Sequence, residues 1–306
     1  MVFYLDPTPM NNQIEPIEMV RKLSSIVFPS CLFSLAKDEI FPYEYFAYTI
    51  LEEGIIYLHS IGLPESIIVD FTHPLPHCSP WYINASCSTT IDSAGQPIYF
   101  SIFTPLLAPT IFYMFSATVL PILFDDKKFS DFKQNPSSLR GIVQRFIDGV
   151  DASAIAYVDQ GLAHAIRAGY RHLDLDFSDL QNCGDYFGCL LMHIGYHELG
   201  HAYISKFTRN DVPNPINDRA LELIADLIAT KWLFDRTVMG TPDTDEYRNL
   251  RGLNTYADTI MSNSLMSVRS QMALLILSSI AGAQLNSGTP TLAALRLHHT
   301  AGKVFQ

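Results

Sequence analysis

Residues 193–204 read His-Ile-Gly-Tyr-His-Glu-Leu-Gly-His-Ala-Tyr-Ile and contain the pattern HExxH inside an apolar stretch with helical spacing. Positions four apart lie one turn above each other on a helix, so His197 and His201 can offer ring nitrogens to one metal ion. Glu198 lies about 100° around the helix, beside this histidine stripe. The stretch predicts a helix that carries two metal ligands and a neighbouring carboxylate.

A second helix downstream supplies a candidate for the third ligand. Residues 218–236 place Glu222 and Asp226 four apart on one face, and Glu222 lies 21 positions beyond His201. A zinc ion that activates water takes three protein ligands, and its histidines usually donate their other ring N–H to a carboxylate. We therefore predict Glu222 as a ligand and Asp226 as the acceptor that orients a histidine. Asp218 is predicted as the helix N-cap.

The rest of this second helix is apolar, which bears on its carboxylates. Ala225 and Ala229 are small enough to let the two helices approach closely, and the other faces carry leucine and isoleucine. Carboxylates buried without a cation are very unfavourable. A metal ion between the helices would remove that cost. His193 lies on the same stripe as the two histidine ligands, and we predict it as a hydrogen-bonded, partly buried histidine outside the site.

The combination of HExxH with ExxxD some twenty residues later resembles the gluzincin metallopeptidases, which have the thermolysin-like arrangement. The matching residues lie between positions 193 and 234. The resemblance implies zincin-like helices that hold one Zn²⁺ ion, with two histidines and a glutamate as ligands, a glutamate as catalytic base and an aspartate that orients a histidine. Here His197, His201 and Glu222 match the ligands, Glu198 matches the base, and Asp226 matches the orienting aspartate.

A weaker similarity connects the chain to the bacterial phage-exclusion peptidases of the Lit type, which pair HExxH with an E-x-x-A-D segment; it implies a role in phage defence.

Residues 288–296 also look like a degraded THP…R element of zincins, in which Arg296 would pair with the site carboxylates. A donor that stabilises the oxyanion is expected, and nothing in the sequence selects one. The candidates are Arg296, Tyr203, Tyr256, His298 and His299.

The predicted reaction is hydrolysis of a peptide bond in a protein or peptide substrate, with Glu198 as general base. One alternative is a non-catalytic regulatory or binding protein that contains zinc. The intact Glu198 argues against it, because a structural zinc site needs no base and usually has four protein ligands. Another alternative is a membrane-attached protease anchored by residues 96–124.

Residues 96–124 carry no charge and exceed the length of about 20 apolar residues that a spanning helix needs. Pro105, Pro109 and Pro121 interrupt them, and each removes a helix hydrogen-bond donor. We therefore predict buried strands or short core helices here, with membrane contact as the less favoured option. Residues 272–285 are too short to span and are predicted as a buried helix.

Composition restricts the partners and the compartment. The net charge of −11 argues against nucleic acid, because phosphate binding needs a basic surface. The five cysteines contain no CxxC pair and leave one unpaired in any disulfide scheme, which favours a reducing environment. The N-terminus does not resemble a secretory signal. A cytoplasmic protein is the expectation.

The overall pattern predicts an α+β fold that is predominantly helical in its C-terminal half. We place a mixed N-terminal subdomain at residues 1–140 and a helical zinc-peptidase subdomain at 141–306, joined by a polar surface connection at 125–140. The predicted helices are 17–26, 45–61, 141–169, 186–207, 218–236 and 256–283, and the predicted strands are 66–71 and 81–85.

Overall fold

The computed structural model describes residues 24–60, 66–71, 83, 85–94, 97–124, 136–208 and 218–239, together with positions 273, 274, 276, 277 and 280. Within these residues the chain is a mixed α+β fold, mostly helical, with one small sheet. The predicted fold class is confirmed at this level.

The sheet has four strands in the order β1-β2-β4-β3. They are β1 (Ser24–Val27), β2 (Ile67–Asp70), β3 (Ser86–Ile91) and β4 (Pro97–Phe103). β1, β2 and β4 run parallel, whereas β3 forms an antiparallel hairpin with β4. β3 is therefore an edge strand, and its outer side has no strand partner among the described residues.

The helix that carries HELGH is central to the helical part. It contacts four other helices and both strands of the hairpin, because most of its positions are apolar and it buries several faces. In chain order, the helices are a 3-10 turn (Ser30–Ser34), α1 (Lys37–Ser60), α2 (Ala108–Thr118), α3 (Leu120–Phe124), α4 (Pro136–Gln160), α5 (Leu162–Leu173), α6 (Phe177–Thr208) and α7 (Asp218–Met239). α6 is the HELGH helix, and its neighbours are α1, α2, α3 and α7.

The described part of the uncharged segment, residues 97–124, contains β4, α2 and α3. Every residue of α2 from position 108 to 116 is buried, as expected for a helix that is apolar on all sides. Pro109 lies in the first turn of α2, where its missing N–H breaks no helix hydrogen bond. The prediction of buried strands and short core helices is confirmed. Among the described residues, no helix has both the length and the apolar character needed to cross a bilayer.

A chain of aromatic rings joins the sheet to the helices. Phe71, which directly follows β2, stacks on Phe28 and meets the ring edges of Tyr43 and Phe46. Phe46 in turn stacks on Phe112 of α2 at a centroid distance of 6.4 Å. All of these rings are buried, and such contacts add to the free energy gained from burying apolar area. The sheet, α1 and α2 therefore form one core beneath α6.

The predicted helix 141–169 is two helices in the structure. α4 starts earlier, at Pro136, and ends at Gln160, and α5 begins at Leu162. Gly161 between them has φ 86°, a conformation that favours glycine and interrupts the helix. Helical periodicity continues through the break, so the apolar pattern alone did not reveal it. The start at Pro136 also corrects the proposed connection 125–140, whose other residues, 125–135, lie outside the described residues.

Several other boundaries are corrected in the N-terminal half. The predicted helix 17–26 is wrong at positions 24–26, which belong to β1, because pairing with β2 overrides local helical spacing. Its earlier residues lie outside the described part. Helix 45–61 begins at Lys37 instead. The strand at 66–71 is confirmed as β2, whereas residues 83 and 85 are not in a strand and β3 begins at Ser86.

The C-terminal helices agree better with their patterns. Helix 186–207 is the second part of the longer α6, and helix 218–236 is α7, which begins at Asp218 as predicted. Of the predicted helix 256–283, the structure describes five positions, all helical, and Ala273 and Leu277 among them are buried. The periodic apolar stripes that define these helices are long, which explains the agreement.

Candidate metal centre

The centre lies where α6 and α7 pack against each other. Gly200 of α6 faces the backbone of α7, and a Cβ atom at this position would lie 3.3 Å from the Cα of Ala225. Ala225 and Ala229 are completely buried. The predicted close approach of the two helices through small residues is confirmed. It brings the backbone of α7 within reach of the histidine side chains on α6.

The two histidines and the glutamate predicted as ligands converge. The Nε2 atoms of His197 and His201 are 3.1 Å apart. One carboxylate oxygen of Glu222 lies 3.4 Å from the Nε2 atom of His197, and the other lies 3.4 Å from that of His201. Among the described residues, these three form the one group of His, Cys, Asp or Glu side chains that could hold a metal ion together.

These separations fit a tetrahedral zinc site. Two ligand atoms at the tetrahedral angle around an ion about 2.0–2.1 Å away are roughly 3.3 Å apart. The distances of 3.1 and 3.4 Å are close to this value. With three protein ligands, the fourth position is left for water or a substrate oxygen, which is the donor set of a catalytic site. The residues therefore fit one Zn²⁺ ion.

Asp226 holds the ring of His197. Its Oδ1 atom lies 2.8 Å from Nδ1 of His197, so an ionised Asp226 accepts a hydrogen bond from Nδ1–H and turns Nε2 towards the other ligands. Burial lowers the pKa of His197, but its hydrogen bonds to Asp226 and Glu222 outweigh this and raise the pKa to about 10. Without a metal ion the ring therefore carries a proton on Nε2 at neutral pH, and a metal ion would bind Nε2 in place of that proton. The predicted orienting carboxylate is thus in contact with a predicted ligand, and the surrounding negative charge favours a cation.

Glu198 lies beside the ligand group and faces the sheet. Its side chain is buried, with 6% of its surface exposed, and burial raises the pKa of its carboxyl group above the usual value. The charges of His197 and His201 act in the opposite direction. A backbone hydrogen bond from Cys87 of β3 also lowers the pKa and fixes the carboxylate in place. Such a group can accept and return a proton without solvent in between.

The contact between Glu198 and β3 was not predicted from the sequence. Cys87 lies 111 positions before Glu198 in a run of small residues, Ser86–Ile91, that has no marked pattern. Its thiol is also near the carboxylate, and burial followed by the charge of Glu198 raises the pKa of Cys87. A neutral, unreactive thiol is the result. No local signal identifies a residue of this kind, because only the sheet brings it to the site.

Two more residues that the sequence singles out, His193 and Tyr203, lie in the described part of the chain. His193 is buried, 3% exposed, and is not part of the ligand group, in agreement with its predicted place outside the site. The ring of Tyr203 packs edge-to-face on Trp232 of α7, at 6.1 Å between centroids. The other proposed oxyanion donors lie outside the described residues: Tyr256, Arg296, His298 and His299.

The contact between Gly200 and α7 gives a first prediction. Gly200→Ala would place a methyl group 3.3–3.4 Å from the backbone of Ala225, so α7 must shift by a few tenths of an ångström. Overpacking costs about 1–3 kcal/mol, and since Glu222 moves with α7 we expect zinc to bind about 10-fold more weakly. Competition with a chromogenic chelator measures this affinity.

Gly141→Ala is the matched control, because this glycine is also helical and nothing lies within 4 Å of an added Cβ. It should leave zinc affinity unchanged. A folded Gly200→Ala variant with the affinity of the unsubstituted chain would contradict the inference that this contact sets the position of Glu222.

Comparisons of the chain with protein-family models, with curated proteins and with solved structures give no match. The resemblance to gluzincins and to the Lit-type peptidases therefore stays a prediction carried by the motif residues alone. Any function for the chain has to be argued from the geometry of the centre.

Proposed function

We propose that this chain is a zinc-dependent peptidase that hydrolyses a peptide bond in a protein or peptide substrate. The supporting observation is the convergence of His197, His201 and Glu222 with Glu198 buried next to them. A group of ligands and a base in contact is the arrangement that metal-assisted hydrolysis requires. The role in phage defence implied by the resemblance stays a prediction.

The ligand set would hold Zn²⁺ through two imidazole nitrogens and one carboxylate. When bound, zinc lowers the pKa of water towards about 7 and polarises the carbonyl of the substrate. Asp226 keeps the ring of His197 oriented for this role. The side chains of His197 and Asp226 are 14% and 18% exposed, so their hydrogen bond is only partly screened by solvent.

Glu198 would carry the proton. In its ionised form it takes a proton from the attacking water and then donates it to the nitrogen of the leaving amine. Its burial raises its pKa and makes it a stronger base than an exposed glutamate. The backbone hydrogen bond from Cys87 prevents the carboxylate from turning away between the two transfers.

The edge strand next to Glu198 supports a peptide as the substrate class. β3 pairs with β4 on one side, and its other side has no strand partner among the described residues. An extended peptide can pair with an exposed strand edge through its backbone groups, independently of its sequence. A peptide aligned in this way would pass Cys87 and reach the base.

The test is a zinc assay combined with a cleavage assay on the purified full chain. We expect one zinc ion per chain, hydrolysis of a fluorogenic peptide library, loss of hydrolysis with a chelator and recovery after zinc is added back. X-ray absorption at the zinc edge should show three protein ligands and one water. Zinc with four protein ligands and no hydrolysis would instead favour a regulatory zinc protein.

A further inference from the structure

Two exposed isoleucines lie at the tip of the β3–β4 hairpin. Ile91 ends β3 and is 40% exposed, and Ile98, near the start of β4, is 49% exposed. The strand register shifts between Thr90 and Ile91, which leaves Ile98 as the extra residue of β4 next to Ile91. Single exposed apolar side chains are common on proteins, whereas these two at one hairpin tip form a small apolar patch.

The tip is connected to the candidate metal centre by one strand. Side chains alternate along a strand, so Cys87, Thr89 and Ile91 are on the same face of β3. Cys87 is the residue whose backbone contacts Glu198. At about 3.3–3.4 Å per residue, Ile91 lies roughly 13 Å further along the strand than Cys87.

Between these two points β3 offers little that could select a side chain. Its sequence, SCSTTI, contains no charged residue, and four of its six side chains are small hydroxyls. A peptide paired with its free edge would be held there mainly by backbone hydrogen bonds, which do not distinguish sequences. Along β3, side-chain selectivity is left to the end of the strand, where apolar side chains are exposed.

We propose that Ile91 and Ile98 form an apolar recognition site of the enzyme, which binds a large apolar side chain of the substrate about four residues before the cleaved bond. This inference rests on the proposed function. Burying an aliphatic or aromatic side chain against the isoleucines removes apolar surface of both partners from water. The hairpin tip would thereby add sequence preference to the backbone pairing along β3.

The direction follows from the sheet. A strand added beside β3 is favoured in the antiparallel orientation, because antiparallel pairing is slightly more stable per residue. β3 runs from Cys87, next to the base, to Ile91 at the tip. An antiparallel substrate runs in the opposite sense, so its residue near Ile91 precedes the residue near Glu198. The recognised side chain therefore lies on the amino-terminal side of the cleaved bond.

The test uses the zinc-loaded full chain and a positional library of quenched fluorogenic decapeptides. We expect kcat/KM to be about 10-fold higher for Leu, Ile or Phe than for Ser or Ala at the fourth position before the cleaved bond. In the double variant Ile91→Ser/Ile98→Ser this ratio should fall to about 1. Val158→Ser is the matched control, because Val158 is 84% exposed on α4, and it should keep the ratio.

Binding without turnover separates this inference from the proposed function. The same peptides, carrying a fluorophore, are titrated into zinc-loaded Glu198→Gln protein and followed by fluorescence polarisation. Peptides that bind with the apolar preference but are never cleaved by the unsubstituted chain would refute the peptidase and leave the recognition site standing. The recognition site is overturned if the preference is absent, lies after the cleaved bond or survives the double substitution, or if no peptide binds.

Discussion

Glu198→Gln is expected to reduce kcat/KM for peptide hydrolysis by about 10³-fold, the middle of the range for loss of a general base. Glutamine has the same shape as glutamate and can still accept the backbone hydrogen bond from Cys87, so the fold and the site geometry should persist. It cannot take up a proton from water. Zinc content, measured on the same preparation, should equal that of the unsubstituted chain.

Glu44→Gln is the control for this substitution. Glu44 is a partly buried carboxyl group on α1 whose pKa is also raised by burial, but it is not part of the metal centre. Hydrolysis by the Glu44 variant should match that of the unsubstituted chain. Full activity of Glu198→Gln, with zinc bound, would end the assignment of Glu198 as the base and require another proton acceptor.

Glu222→Ala is expected to weaken zinc binding by at least about 100-fold, because it removes one of three ligands rather than a group that only orients a ligand. The stabilisation of the fold by zinc should decrease accordingly, by about 2.7 kcal/mol for a 100-fold loss of affinity. Chelator competition gives the affinity, and thermal unfolding with and without zinc gives the stabilisation.

Two further substitutions show whether the loss is specific to the ligand. Asp226→Asn retains an oxygen for the ring N–H of His197 but loses the charge, and it should weaken zinc binding by about 10–100-fold. Asp148→Asn, on an exposed part of α4 where Asp148 accepts a hydrogen bond from Gln144, should have no effect. Unchanged zinc affinity in Glu222→Ala would show that the third ligand lies elsewhere and would refute the two-helix site.

The proposed catalytic groups lie on two helices, α6 and α7, which differ in how deeply they are buried. α6, which carries His197, Glu198 and His201, contacts four helices and the hairpin and is largely buried between Phe187 and Ile204. α7, which carries Glu222 and Asp226, contacts α6 through its alanines and has more intermediate burial. The helix with the base is therefore held by the core, and zinc would join α7 to it.

The linear sequence was sufficient to predict the two helices and the residue pairs that each of them carries. Residues repeated every three to four positions lie on one helix face whatever surrounds the helix, so His197 with His201, and Glu222 with Asp226, were each predictable as pairs. The small side chains of Ala225 and Ala229, four positions apart on one helix, likewise indicated that the two helices approach closely. These features depend on spacing within one helix, which the linear sequence contains directly.

The groups around these pairs are brought there by tertiary contacts, which no local pattern predicts. The strand β3, the contact of Cys87 with Glu198, and the isoleucines at the hairpin tip depend on pairing between segments far apart in the chain. The helix predicted at 17–26 became strand β1 at its end for the same reason. Strand pairing gains its free energy from a partner that no local pattern identifies, whereas a helix satisfies its backbone hydrogen bonds within itself.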